Sequence, residues 1–181
     1  LIGTVSEKDT TVSNLVVKGE VKESGNSINL GTIARNYKET IRNCSVNANV
    51  THSGVAYVGG IVGRTEGTII KCLFVGKISN GNSTVYSALT NCFGTSANIV
   101  KCVGVGCERL GTSETWTESE IEGTNCTLIT TVSTFDPTKH VAGMNENRDI
   151  GKGDLEWKIV EDLLVPVAAG GGEAPEVNAT E

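Results

Sequence analysis

IIKCLFVGKI (69–78) is the stretch that decides the fold, because the chain carries three variants of it: VSNLVVKGEV (12–21), IRNCSVNANV (41–50) and IVKCVGVGCE (99–108). With Leu15, Cys44, Cys72 and Cys102 taken as equivalent, the successive spacings are 29, 28 and 30 residues. A period of this size predicts a stacked array, in which one unit cannot bury its apolar face without a neighbour. Ten to fourteen residues upstream, each unit opens on a short apolar or glycine-rich run: LIGTV (1–5), LGTIA (30–34), VGGIV (58–62) and ALTNC (88–92).

Within the closing strand of each unit the side chains alternate. Leu15, Val17 and Val21 share one face, as do Cys44, Val46 and Val50, and Cys72, Phe74 and Ile78, while Lys18, Glu20, Asn47, Asn49 and Lys77 lie on the other. The period of two makes the first sets the interior. Val12, Ile41, Ile69 and Ile99 stand three residues earlier, an odd offset that puts them inside only if the chain turns a corner at Ser13-Asn14, Arg42-Asn43, Ile70-Lys71 and Val100-Lys101. Small residues recur at one inward level, Gly19, Ala48, Gly76 and Gly106, and predict a place where neighbouring backbones come close. The expectation is an all-β chain, a β-solenoid of about four coils with a non-repetitive C-terminal cap.

Polar, glycine-bearing loops, KESGNS (22–27), THSGVA (51–56) and SNGNST (79–84), join the units and are expected on one side of the stack. Repeat proteins make contacts through such ladders. Asn26, His52, Asn80 and Asn82 are the candidate binding residues.

YVGGIVGRTEGTIIKCLFVGKI (57–78) resembles the GLUG repeat, an aromatic-x-Gly-Gly opening followed by a polar turn and I-x-x-C/S-x-hydrophobic-x-G-x-hydrophobic. The similarity is close in this unit and partial elsewhere: Gly59, Gly60 and Gly63 become Gly31, Thr32 and Arg35 in the second unit. It spans residues 1–108. The resemblance implies a β-solenoid from a secreted or cell-surface bacterial protein, adhesin-like or beside an IgA-type protease, and it brings no catalytic residues.

The totals narrow the function classes. A net charge of −6 with mixed signs argues against a nucleic-acid partner, which needs a cationic surface. No run of eighteen apolar residues occurs, so no membrane span is expected. The opening on Leu1 reads as a piece of a longer or processed protein. No cofactor motif is present: GGIVG and VGVG do not open helices and are turns rather than phosphate cradles. Asp136 with His140 lacks the nucleophile elbow of a hydrolase, and the carboxylates Glu118, Glu120, Glu122, Asp149, Asp154 and Glu156 fall outside the repeats. The chain is read as non-catalytic.

Six cysteines without CxxC spacing, and only two histidines, do not make a structural zinc site. Cys44, Cys72 and Cys102 share one repeat position with Leu15 and are expected to form an apolar ladder. Cys92 aligns with Val62 and Ala34, also inward. Cys107 aligns with the outward Lys77, which leaves it, with Cys126, as the pair expected to form a disulfide. Five N-x-S/T sequons occur, at Asn43, Asn49, Asn82, Asn125 and Asn178.

The period is lost after residue 108. Residues 109–168 are expected to cap the exposed final coil, with TLITTVS (127–133) as a strand, FDPT (135–138) as a turn, and LEWKIVEDLLVPV (155–167) as extended chain. Residues 169–181 hold almost no bulky apolar side chain and are expected to be a flexible tail or linker. The functional expectation is a binding or spacer module, adhesin-like, whose partner is a host or matrix protein or a glycan. The alternative is an accessory solenoid of a secreted protease or glycan-active enzyme.

Overall fold

The computed structural model describes residues 2–5, 10–24, 29–53, 57–80, 86–93, 98–109, 111–113, 124–168 and 176–179. Its body is a parallel β-solenoid. The first coil holds β1 (Ile2–Val5), β2 (Thr11–Ser13) and β3 (Val16–Glu23). The second holds β4 (Asn29–Gly31), β5 (Ala34–Tyr37), β6 (Thr40–Arg42) and β7 (Ser45–His52). The third holds β8 (Tyr57–Gly59), β9 (Val62–Thr65), β10 (Thr68–Ile70), β11 (Leu73–Val75) and β12 (Ile78–Asn80). The fourth holds β13 (Tyr86–Ser87), β14 (Thr90–Phe93), β15 (Asn98–Val100) and β16 (Val103–Val105), and a fifth adds β17 (Gly111–Ser113) and β18 (Thr127–Ile129). Three coils are complete on all four faces, flanked by partial ones. The faces run β4-β8-β13, β1-β5-β9-β14-β17, β2-β6-β10-β15 and β3-β7-β11-β16-β18.

Register follows the repeat. Val12, Ile41, Ile69 and Ile99 pair in succession, as do Val16, Ser45, Leu73, Val103 and Thr127. The corner between these two faces is made by one residue at positive φ in every coil: Asn14 (58°), Asn43 (51°), Lys71 (49°), Lys101 (51°) and Asn125 (54°). That left-handed residue reverses the side-chain alternation, so the isoleucine before it and the ladder residue after it both face inward. Corner amides bond to the next coil, Asn43 N–H to Ile70 O at 3.0 Å, Lys71 N–H to Val100 O at 2.9 Å and Lys101 N–H to Thr124 O at 2.8 Å, so the turns leave no gap in the ladder. The interior they enclose is one continuous cluster that includes Ile33, Ile41, Val46, Val58, Ile61, Ile69, Phe74, Leu89 and Ile99.

The small residues sit where two coils touch backbone to backbone. A Cβ on Gly76 would lie 1.9 Å from Ala48 O, and one on Gly106, at φ +88°, would lie 2.0 Å from Gly76 O.

Several sequence expectations are corrected. The stack does not stop at residue 108: Thr124 bridges Val100 and β18 pairs with β16, so TNCTLI (124–129) is a fifth corner whose spacing of 24 from Cys102 to Cys126 hides it from a period of 28 to 30. TLITTVS is a strand only over Thr127–Ile129, and Val132–Thr134 is a turn of 3-10 helix. The opening of the fourth unit is offset by 28 rather than 30. Thr90 pairs with Val62, and Cys92 with Arg64, so the extra two residues fall between Phe93 and Asn98.

The segment after the stack braces its side. The outward side chains of the fourth face, Val16, Leu73, Val103 and Val105, are apolar, and residues 132–167 cover them. Met144 of the short helix α1 (Val141–Asn145), Trp157 and Leu164 pack on Leu73, Val103 and Val105, while Val165 and Val167 pack on Val16. LEWKIVEDLLVPV is extended, as expected, and forms an antiparallel hairpin of β19 (Glu156–Val160) and β20 (Leu163–Val167), turned at Glu161 and Asp162 with φ of 49° and 64°. Two consecutive left-handed residues are what a two-residue hairpin turn requires. Within the stretch read as a flexible tail, residues 176–179 instead form β21 (Glu176–Ala179), parallel to β3 from Val16 to Gly19. The edge of the first coil offers unpaired backbone groups, and hydrogen bonds to that edge offset the ordering cost that composition alone leaves unmet.

Candidate binding surface and the corner ladder

Two regions carry the candidate residues: the side from which the inter-unit segments leave, and the corner under the C-terminal brace. On the first, Glu23, His52 and Asn80 are paired in register at the ends of β3, β7 and β12. The polar segments therefore depart from one level of three successive coils. His52 is 1% exposed, so it anchors a strand end and is not a contact residue. Its even offset from Val50 keeps it on the inward face. Asn26 and Asn82 lie outside the described residues, and of Asn80 the backbone position alone is described. Glu23 is tied to Arg35 by an ion pair at 2.8 Å.

The corner is where the brace is bolted on. Asn14 donates to Gly153 O at 2.9 Å and accepts from Leu155 N–H at 3.1 Å. Asn43 donates to Asn14 Oδ1 at 2.7 Å and to Leu155 O at 3.1 Å, and accepts from the indole N–H of Trp157. Asn145 then grips the backbone of Trp157 from the other side with two bonds of 2.9 Å. Asn43, the first of the sequons, is fully buried, which closes it to modification in the fold. Further along, the buried Arg42 pairs with Asp154, and Lys71 donates to Glu146 O. Burial pushes the Lys71 amine below its ordinary value, against the pull of Asp154.

Among the described residues, clefts open between brace and corner. One, of about 240 Å3, is lined by Arg42, Lys71, Lys152, Asp149 and Asp154. Another, of about 410 Å3, is bounded by Lys101, Asn125, Thr127, Lys139, His140 and Glu146. Charges of both signs line each cleft. His140 stacks on Phe135 at 5.4 Å, and burial lowers its pKa against the opposing field of Asp136. Asp136 is occupied with Thr138, accepting from its N–H at 3.1 Å and its hydroxyl at 2.6 Å, and these bonds hold its carboxyl below the usual range. The pair is a turn cap stacked on a ring.

The ladder Leu15, Cys44, Cys72, Cys102 is present at the corner and extends to Cys126. Each thiol donates to the carbonyl two residues earlier: Cys44 to Arg42 O at 3.1 Å, Cys72 to Ile70 O at 3.3 Å, Cys102 to Val100 O at 3.3 Å and Cys126 to Thr124 O at 3.6 Å. The last two sulfurs accept from the backbone of the preceding coil, Cys72 N–H to Cys102 Sγ at 3.4 Å and Cys102 N–H to Cys126 Sγ at 3.3 Å. Burial pushes the Cys72 thiol up. Burial also opposes ionisation of Cys102, but hydrogen bonds from Cys126 and Cys72 hold that thiol well below the ordinary range.

Cys107 and Cys126, the pair expected to be bonded, are free thiols here. Cys107 is 2% exposed, not outward, because the positive φ of Gly106 breaks the alternation that aligned it with Lys77. Desolvation raises its pKa to about 12.

No family model, curated protein or solved structure matches the chain. No helix among the described residues is long and apolar enough to cross a membrane.

Proposed function

We propose that this chain is a non-catalytic binding or spacer module of a secreted or cell-surface bacterial protein, adhesin-like, with a host or matrix protein or a glycan as its partner. The observation that carries this reading is the shared level of Glu23, His52 and Asn80, from which three polar segments leave a rigid stack about one strand spacing apart, ~4.8 Å. A ladder of that pitch suits an extended or repetitive partner, since each rung can repeat the contact of the one below. The brace packs near the starts of the strands of the fourth face, on Val16, Leu73 and Val103, and the polar segments leave from the far ends of strands in that same sheet.

The reading is tested on glycan and matrix-protein arrays, using the full chain and a variant whose residues 25–27, 54–56 and 81–84 are replaced by glycine and serine at equal length. His52 and Glu23 are retained so that the strand ends keep their anchors. Binding by the full chain that the variant loses supports the proposal. Binding that survives the replacement removes the segment ladder as the contact surface, and no binding by either reduces the module to a spacer.

A further inference from the structure

We propose that Cys102 and Cys126 are an oxidisable pair, and that a disulfide between them staples the fifth coil to the fourth. Both residues directly follow a left-handed corner residue, Lys101 at φ 51° and Asn125 at φ 54°, so their side chains leave the backbone in the same direction. The pairing of Val103 with Thr127 sets the two cysteines opposite each other on adjacent coils. At a strand spacing of ~4.8 Å their Cα atoms fall inside the ~4.4–6.8 Å that a disulfide spans. The two residues already touch: Cys126 Sγ accepts from Cys102 N–H at 3.3 Å.

Access picks this pair out of the column. Cys44, Cys72 and Cys102 are buried, whereas Cys126, the last rung among the described residues, is half-buried. With glutathione disulfide as oxidant, Cys126, whose thiol the hydrogen bond with Cys102 and burial hold above the ordinary range, gives its proton to solvent base and attacks one of the oxidant's sulfurs, breaking that S–S bond and releasing one glutathione. Cys102, having given up its proton, then attacks the Cys126 sulfur of the mixed disulfide and releases the second glutathione. Two protein thiols lose two electrons and two protons, and the glutathione disulfide takes up both. Cys102 suits the second step, because its sulfur accepts from Cys72 N–H at 3.4 Å, a bond that favours the thiolate. The fifth coil needs a staple more than the others, since its described contacts to the fourth are two three-residue strands and one bridge.

The test uses the full chain, reduced and then incubated at pH 8.5 with glutathione disulfide, blocked with iodoacetamide in denaturant and digested with trypsin. Cys102 and Cys107 share the peptide 102–109, and Cys126 lies in 110–139, so fragmentation within Val103–Gly106 reports which of the two is joined to Cys126. The expected product is a monomer lighter by two hydrogen atoms, linked through Cys102. Its Tm should rise by roughly 5–10 °C over the reduced form, given the 24-residue loop it closes. The link should persist in Cys107→Ser and vanish in Cys102→Ser. A link through Cys107, a bond between Cys72 and Cys102, or no intramolecular bond while Cys126 alkylates in the native protein would each overturn the proposal.

Discussion

The indole N–H of Trp157 donates to the side-chain oxygen of Asn43, a bond that joins the brace to the second corner across 114 residues of chain. Asn43 is held at φ 51° and spends its amide on Asn14 and Leu155, so one buried side chain both makes the turn and fixes the brace. Asparagine tolerates the left-handed region better than most residues.

Asn43→Ala removes the acceptor and places a Cβ-bearing residue without polar compensation at positive φ. The expected loss is about 2–4 kcal/mol in urea unfolding, combining an unsatisfied indole N–H with backbone strain. Asn43→Gly loses the same bonds but relieves the backbone, and should cost about 1 kcal/mol less. Equal losses in the two variants would remove the conformational part of the argument.

Backbone contact between coils makes Gly76 intolerant of any side chain. Gly76→Ala drives a methyl to within 1.9 Å of Ala48 O, where the obstacle is main chain, and should destabilise by about 3 kcal/mol or more. Gly143 in α1 meets nothing within 4 Å, and Gly143→Ala should stabilise by about 0.5–1 kcal/mol through helix propensity. Circular dichroism melts of the two variants read both signs at once.

The Arg42 and Asp154 side chains are 9% and 4% exposed, so each relies on the other. Asp154→Ala strands the guanidinium and should cost about 3–5 kcal/mol, whereas the apolar double variant Arg42→Met with Asp154→Leu should recover most of that loss. A double-mutant cycle gives the coupling. Additive losses would show that the pair does not hold the brace.

Alkaline pH should weaken the fold through its buried thiols. The Cys107 pKa is about 12 in the folded chain, against an ordinary value of 9.0. Between these values the unfolded state has lost its proton and the native state has kept it. The contribution is therefore whole below pH 9 and falls as pH rises toward 12, by about 1.4 kcal/mol per unit. Urea midpoints from pH 8 to 10.5 in reductant should fall less steeply for Cys107→Ala than for the parent chain. Parallel curves would place that thiol in contact with water.

How much was legible varies with how local the signal is. Val12, Ile41, Ile69 and Ile99 stack because a three-residue offset to Leu15, Cys44, Cys72 and Cys102 admits one solution, a corner, and the corner residues could be named in advance. The fifth rung at Asn125-Cys126-Thr127 repeats Asn43-Cys44-Ser45 in kind, yet the shortened spacing masks it. The brace left a signal too: Leu73, Val103 and Val105 are apolar on a face that should have been wet. Cys107 was misplaced because strand alternation stops at Gly106, where a positive φ turns the next side chain inward.

Periodicity alone determined that the chain coils, where it turns and which side chains form the dry interior, because those follow from contacts between equivalent positions one repeat apart. Only the tertiary structure decided that the final third lies along the flank, that β21 returns to the first coil and that Cys126 ends the thiol column. These depend on pairings between residues tens to more than a hundred positions apart or across an irregular spacing, and a local pattern of apolar and polar residues holds no record of which distant surface will cover it.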